Sequence, residues 1–253
     1  MLELLTDPNA WAALVTLTAL EIVLGIDNIV FISVLVSRCS PREAKRARQI
    51  GLSLAFVFRV ILLFGLTGLM KLTYPVVSLL GREFSWHDII LIAGGLFLIA
   101  KATHEIHAEV EGEESEGTEA KAYSAFSVIV AQIVIVDLVF SIDSIVTAIG
   151  MAQDIEIMIA AVVIAMIVMY VASGPIAHFI AEHPTTKMLA LAFLVMIGLA
   201  LVADGFAFHI PRGYIYASMA FAGAVEVFNV LARRNRVRNA ARTKRQSMRE
   251  RHQ

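Results

Sequence analysis

Apolar residues gather along this chain into seven long stretches, at about 11–37, 50–70, 88–103, 125–150, 157–180, 188–206 and 214–232. A helix needs roughly 20 predominantly apolar residues to cross a hydrocarbon layer ~30 Å thick. Most of the stretches meet that length, and the third meets it by running on toward Ile106. Polar positions inside them show little helical periodicity, as expected of helices surrounded by lipid or by one another. The pattern predicts an all-α polytopic membrane protein with seven transmembrane helices.

The polar intervals fix an expected orientation. The interval after the first stretch holds Arg38, Arg42, Lys45, Arg46 and Arg48, and a run of Arg and Lys extends from Arg233 to Arg251 after the last. Intervals on the opposite side carry only Lys71, Arg82 and Arg212. The positive-inside rule then sets the N-terminus outside and the C-terminus in the cytoplasm, which requires an odd number of spans. The first residues include Glu3 and Asp7 but no base. They lack the positive region of a secretory signal, so the first stretch is expected to be a retained span.

Composition agrees with this picture. Of the 253 residues, 58% are hydrophobic and 17% charged, where a soluble domain carries about 25% charged. Net charge is −1 and says nothing about partners. The acidic interval 104–123 reads as a solvated cytoplasmic linker, with His104 and His107 beside its glutamates. The basic tail, 233–253, reads as a topology anchor able to contact anionic lipids, with no specific nucleic-acid partner expected. The single cysteine, Cys39, excludes an internal disulfide and a cysteine metal cluster.

Acidic residues interrupt the apolar pattern twice, and in the same frame. "EIVLGIDNIV" (21–30) matches "DLVFSIDSIV" (137–146) after a shift of 116 positions. The shift pairs Glu21 with Asp137, Gly25 with Ser141, Asp27 with Asp143 and Asn28 with Ser144. Matching apolar residues would be cheap in a membrane protein; matching polar ones are not. The first and fourth spans run in opposite directions, so the repeat predicts inverted halves of three spans each, with a seventh helix appended. The expected organisation is a transmembrane domain over 1–232, comprising repeat A at about 11–106, an acidic linker at 107–123, repeat B at about 124–206 and the seventh helix at 214–232. The basic tail follows. A weaker correspondence sets Gly95 over Gly198 and Lys101 over Asp204.

An ionised side chain at the centre of a membrane helix costs about 2.5–3.5 kcal/mol, so four uncompensated acids would cost roughly 10–14 kcal/mol. Protonation, pairing or a bound cation must offset this. Carboxylates, the Asn28 amide and the Ser144 hydroxyl are hard oxygen donors suited to Mg²⁺, Ca²⁺ or Mn²⁺. Neither motif has a His or Cys nearby, as a zinc or copper site would. Residues six apart on an ideal helix stand about 120° apart. Gly25 with Asp27-Asn28, and Ser141 with Asp143-Ser144, therefore suggest helices unwound or kinked at the motifs, with carbonyls added as ligands. The methionines Met151, Met158, Met166 and Met169 are expected to pack.

Other polar groups lie within the spans. Arg59 is expected to pair with one of the acids, as a structural or gating countercharge. Lys101 is expected to snorkel to the interface, and Asp204 to lie at the outer boundary. Glu226 and Asn229, one turn apart in the seventh span, could line an inner vestibule.

Four segments, "EIVLGIDNIVF", "GGLFLIAKATHEIH", "DLVFSIDSIVTAIG" and "GYIYASMAFAGAVEVFN", resemble the TerC family of integral membrane proteins, grouped with the LysE-type exporters. The likeness is to short bacterial inner-membrane members, and the basic tail is no part of it. It implies export of manganese, and of calcium or other divalent ions, with Glu21, Asp27, Asn28, Asp137, Asp143 and Ser144 as the ion site. Protons are the expected counter-ion, since a carboxylate that protonates as the cation leaves strands no charge in lipid. No tightly bound cofactor and no enzymatic activity are expected. An intramembrane aspartyl protease would need Gly-x-Gly-Asp and Pro-Ala-Leu segments, absent here. The alternative left open is a non-transporting scaffold or assembly factor acting through the basic tail.

Overall fold

The protein is described by a computed structural model, covering residues 7–37, 39–65, 72–79, 82–111, 119–149 and 155–250. Arg38, Lys71, Met151 and the middle of the acidic interval (112–118) fall outside the described residues.

Seven helices are long and apolar enough to cross a membrane. They are α1 (Pro8–Val36), α2 (Pro41–Phe64), α3 (Trp86–Glu111), α4 (Glu119–Ile149), α5 (Ile155–Glu182), α6 (Pro184–Gly205) and α7 (Arg212–Glu250). Proline opens α1, α2 and α6, where its missing N–H is no loss. The Asp7 side chain caps α1 by accepting from Asn9 N–H at 2.9 Å. Ser40 and Glu43 form a capping box at α2, the Ser40 hydroxyl donating to Glu43 Oε2 at 2.7 Å. That box starts α2 well before the apolar stretch begins, through its basic residues.

Two expectations about the intervals change. A short antiparallel hairpin, β1 (Pro75–Leu79) and β2 (Arg82–Ser85), lies between α2 and α3. It is too short to show as a strand pattern beside seven spans. Phe84 packs edge-on against Phe206 with ring centroids 5.7 Å apart. The acidic interval is also helical at both ends, as α3 runs to Glu111 and α4 starts at Glu119. Two of its acids pair with lysines: Lys101 holds Glu105 at 2.9 Å, and Lys187 of α6 bonds Glu109. Those pairs let the third span take the length that its apolar residues alone do not supply.

Two compact units result, residues 1–210 and 211–253. The second is essentially α7, which continues past the apolar stretch to Glu250 because no Gly or Pro follows Gly223 to stop it. In the first unit α3 packs most closely on α6 and α1 on α5, with α2 on α4 next. A core of Leu17, Ile29, Ala55, Ile145, Met158 and Met169 joins α1, α2, α4 and α5. Met158, Met166 and Met169 are buried packing residues.

The α3–α6 contact is a backbone contact. A Cβ on Gly95 would stand 2.5 Å from the Gly198 carbonyl oxygen, and one on Gly198 would stand 2.8 Å from that of Gly95. Neither backbone can yield without separating the helices. Gly95→Leu should therefore destabilise the bundle by about 1–3 kcal/mol or more. Gly213→Ala, with nothing within 4 Å of the added methyl, should not. Thermal unfolding of the purified variants in detergent checks the contrast, and equal midpoints would refute the contact.

Candidate functional site

The acids of both motifs are buried: Glu21 is 2% exposed, Asp27 4%, Asp137 4% and Asp143 7%. Helix α1 explains how a spacing of six can be wholly inside. It packs against α2, α4, α5 and α6 at once, so more than one of its faces meets protein.

A continuous polar chain joins three helices at this depth. Arg59 of α2, 1% exposed, places Nη1 2.8 Å from Glu21 Oε2 of α1. Its Nε donates to Ser141 Oγ of α4 at 2.9 Å. Ser141 in turn donates to Asp137 Oδ2 at 3.2 Å, and Asn28 Nδ2 of α1 donates to Asp137 Oδ1 at 2.7 Å. Each central carboxylate thus receives charge-assisted bonds, which are stronger than neutral ones and stronger again in a low dielectric.

The expected break in the helices is not there. Both α1 and α4 run unbroken through their motifs. An opened backbone group facing hydrocarbon costs several kcal/mol, and nothing here requires one. Gly25 serves packing instead: a Cβ there would lie 2.1 Å from Met169 Sδ. The Ser144 hydroxyl bonds its own helix at Ser141 O, 3.3 Å away, and Ser33 likewise bonds Ile29 O at 2.6 Å. Ser144 is therefore turned to its own backbone in this conformation.

The structure also adds a histidine that the motifs did not announce. His87, at the start of α3, places Nε2 3.9 Å from Asp143 Oδ1 and Nδ1 3.6 Å from Asp88 Oδ1. The hairpin and a serine cap hold it there, Ser85 N–H and Oγ donating to Asp88 Oδ2 at 2.8 and 2.7 Å. The signal in the sequence is "SWHD", a capping pattern that puts a histidine at the mouth of a span. Glu105, 3% exposed, is a second buried acid outside the motifs.

The remaining candidates lie elsewhere. Lys101 does not snorkel alone but pairs with Glu105 one turn on. Asp204, near the end of α6, faces His209 Nδ1 at 3.6 Å. Glu226 and Asn229 belong to α7, the second unit. Among the described residues, no three His, Cys, Asp or Glu side chains converge closely enough to hold a metal ion as arranged. A cavity of about 10 Å³ beside Glu21, lined by Leu17, Leu63, Ile145, Met158 and Val162, is near the least that one water requires. The conformation is closed around an internal ion pair.

The sequence pattern described as "Integral membrane protein TerC family" matches residues 6–241. The UPF0053 inner membrane protein YoaE of Escherichia coli (strain K12) is 49% identical over 238 residues, 94% of this chain and 46% of that protein. The chain thus spans about half the length of that relative. A UPF0053 protein of Haemophilus influenzae is 47% identical over 92% of this chain and 99% of its own length. The UPF0053 inner membrane protein YgdQ of E. coli K12 is 48% identical over 90% of this chain and 95% of its own. No solved structure matches the chain. Seven spans and these relatives make it a multi-pass protein of the bacterial inner membrane.

The Asn28–Asp137 bond is the shortest link of the polar chain between α1 and α4. Asn28→Leu leaves Asp137 Oδ1 without its donor and should cost about 1.5–3 kcal/mol of stability. Loss of helicity on heating in detergent reads this directly, and an unchanged midpoint would mean the bond does not form.

Proposed function

We propose that this chain, which belongs to the TerC family of integral membrane proteins, exports a divalent cation. Mn²⁺ is the first candidate and Ca²⁺ the second, with protons moving in exchange. The observation that carries this reading is the burial of Glu21 of α1 and Asp137 of α4 on one polar chain within the bundle. Apolar residues would pack there equally well, so the charges are retained for a task. Oxygen donors at that depth suit a hard cation. His87 beside Asp143 adds a nitrogen donor, which favours a transition metal over Ca²⁺ or Mg²⁺.

The helix pairing supports the inverted-repeat reading. Exchanging α1–α3 for α4–α6 turns the α1–α5 contact into the α4–α2 contact, and the α3–α6 contact into itself. Two halves related in this way, rocking about a shared site, are a common architecture of alternating access. The N-terminus outside and the C-terminus inside complete the reading, and efflux is proposed as its direction.

The long α7 favours one competing role, a scaffold acting through its basic end. Vesicles loaded with Mn²⁺ separate the two. Efflux should fall at least tenfold in Asp27→Asn and in Asp143→Asn, and persist when the chain is cut after Ala232. Undiminished efflux in both acid variants would reject the site. Activity that follows the tail and ignores the acids would favour the scaffold.

A further inference from the structure

We propose that Arg59 is a tethered stand-in for the transported cation. This rests on reading the central acids as the cation site. The guanidinium is among the largest fully buried side chains, and it touches Glu21 directly and Asp137 through Ser141. A cation entering between these carboxylates must take the place it occupies. While it is there, no three His, Cys, Asp or Glu side chains converge among the described residues. Arginine cannot deprotonate in a protein, so its charge is always available to neutralise the empty site.

Comparison of the halves sharpens this. Given the shift of 116 that carries α1 onto α4, a shift of 110 between α2 and α5 brings their contacts with α4 and α1 into correspondence. Under the two shifts, the Arg59–Ser141 contact corresponds to Met169 against Gly25. Gly51 against Ile133 corresponds to Ala161 beside Leu17, which line one cavity. One half thus carries a guanidinium where the other carries a thioether. The repeat supplies acids from both sides and a countercharge from only one. A carrier so built can return without metal, because its own cation neutralises one carboxylate while protons neutralise the others.

The experiment compares two fluxes of radioactive Mn²⁺ in vesicles holding purified wild type, Arg59→Gln or Arg59→Lys. One is net efflux into metal-free buffer; the other is exchange against external Mn²⁺, which never requires an empty return. Arg59→Gln should keep exchange within a few-fold, with half-saturation at lower Mn²⁺ because the internal competitor is gone. Its net efflux should fall on the order of 100-fold, the equivalent of one uncompensated charge at a helix centre. Arg59→Lys keeps the charge and should retain both fluxes within tenfold, which guards against misfolding of the glutamine variant. Equal loss of exchange and net efflux in Arg59→Gln, with Arg59→Lys active, would overturn the proposal. So would net efflux that Arg59→Gln leaves intact. Wild-type vesicles that move no divalent cation would instead overturn the exporter reading, and this one with it.

A separate groove points to a lipid site. Between α2 and α5 a cavity of about 310 Å³ is lined by Leu52, Phe56, Val163, Met166, Ile167 and Tyr170. One end is polar: Gln49 Nε2 donates to Tyr170 Oη at 2.9 Å. Arg48, one turn before Leu52, lies over Gly174, one turn after Tyr170, and a Cβ there would stand 3.3 Å from its Nη2. An apolar slot ending in a guanidinium, an amide and a phenol complements an acyl chain attached to a phosphate. Lys45 and Arg46 continue the positive charge outward. The geometry points to an anionic phospholipid of the leaflet that meets the start of α2. Native mass spectrometry of the detergent-purified protein with phosphatidylglycerol or phosphatidylcholine tests it. One phosphatidylglycerol should be retained at least tenfold better than phosphatidylcholine. Arg48→Gln should abolish the preference, and Met166→Trp should reduce retention of both lipids. Equal retention of the two lipids by wild type, or indifference to both variants, would overturn the site, as would a lipid-free dimer.

Discussion

Charge placed in hydrocarbon must be answered at once, because no water is present to do it. That constraint governs the centre of this protein. Glu21 and Asp137 are answered by Arg59, Ser141 and Asn28, drawn from three helices. The same constraint keeps α1 and α4 unbroken, since every opened backbone group would add a second debt to the first. Hydroxyls that have no acid to serve, such as those of Ser33 and Ser144, turn to carbonyls of their own helices.

Such a chain couples elements that could otherwise move independently. Separating α1 from α4 breaks the Asn28–Asp137 bond, and moving α2 away exposes both Glu21 and the guanidinium. Partial separation is therefore expensive, whereas a concerted shift that keeps every charge answered is not. Packed interfaces of this kind hold a few discrete arrangements rather than a continuum. The Gly95–Gly198 contact lets two backbones meet without intervening side chains. It lies in the α3–α6 pair, the closest helix packing of the unit.

The seven spans were legible because hydrophobic length is the strongest signal a chain can carry. Their ends were less so. Helix α2 begins at a Ser40 cap set among arginines, and α3 continues through glutamates that read as linker until Lys101 and Lys187 are seen beside them. Local composition suggested solvent; tertiary pairing made helix. The inference of unwound helices at the motifs failed for a related reason. It assumed that one helix has one useful face, whereas α1 is packed on several sides.

The site was half legible, and the division is informative. The acids stood out because they repeat, and repetition is visible without any partner. Their partners do not repeat. Arg59 takes the place against α4 that Met169 takes against α1, and His87 belongs to a helix whose correspondence with α6 is faint. A repeated motif therefore announces that a site exists and that two helices share it. What distinguishes one half from the other must come from the residues that break the repeat. Symmetric acids alone would leave two equivalent halves with no countercharge between them. The buried guanidinium of Arg59 on α2 is the difference, and it lies where only the folded arrangement of α1, α2 and α4 can place it.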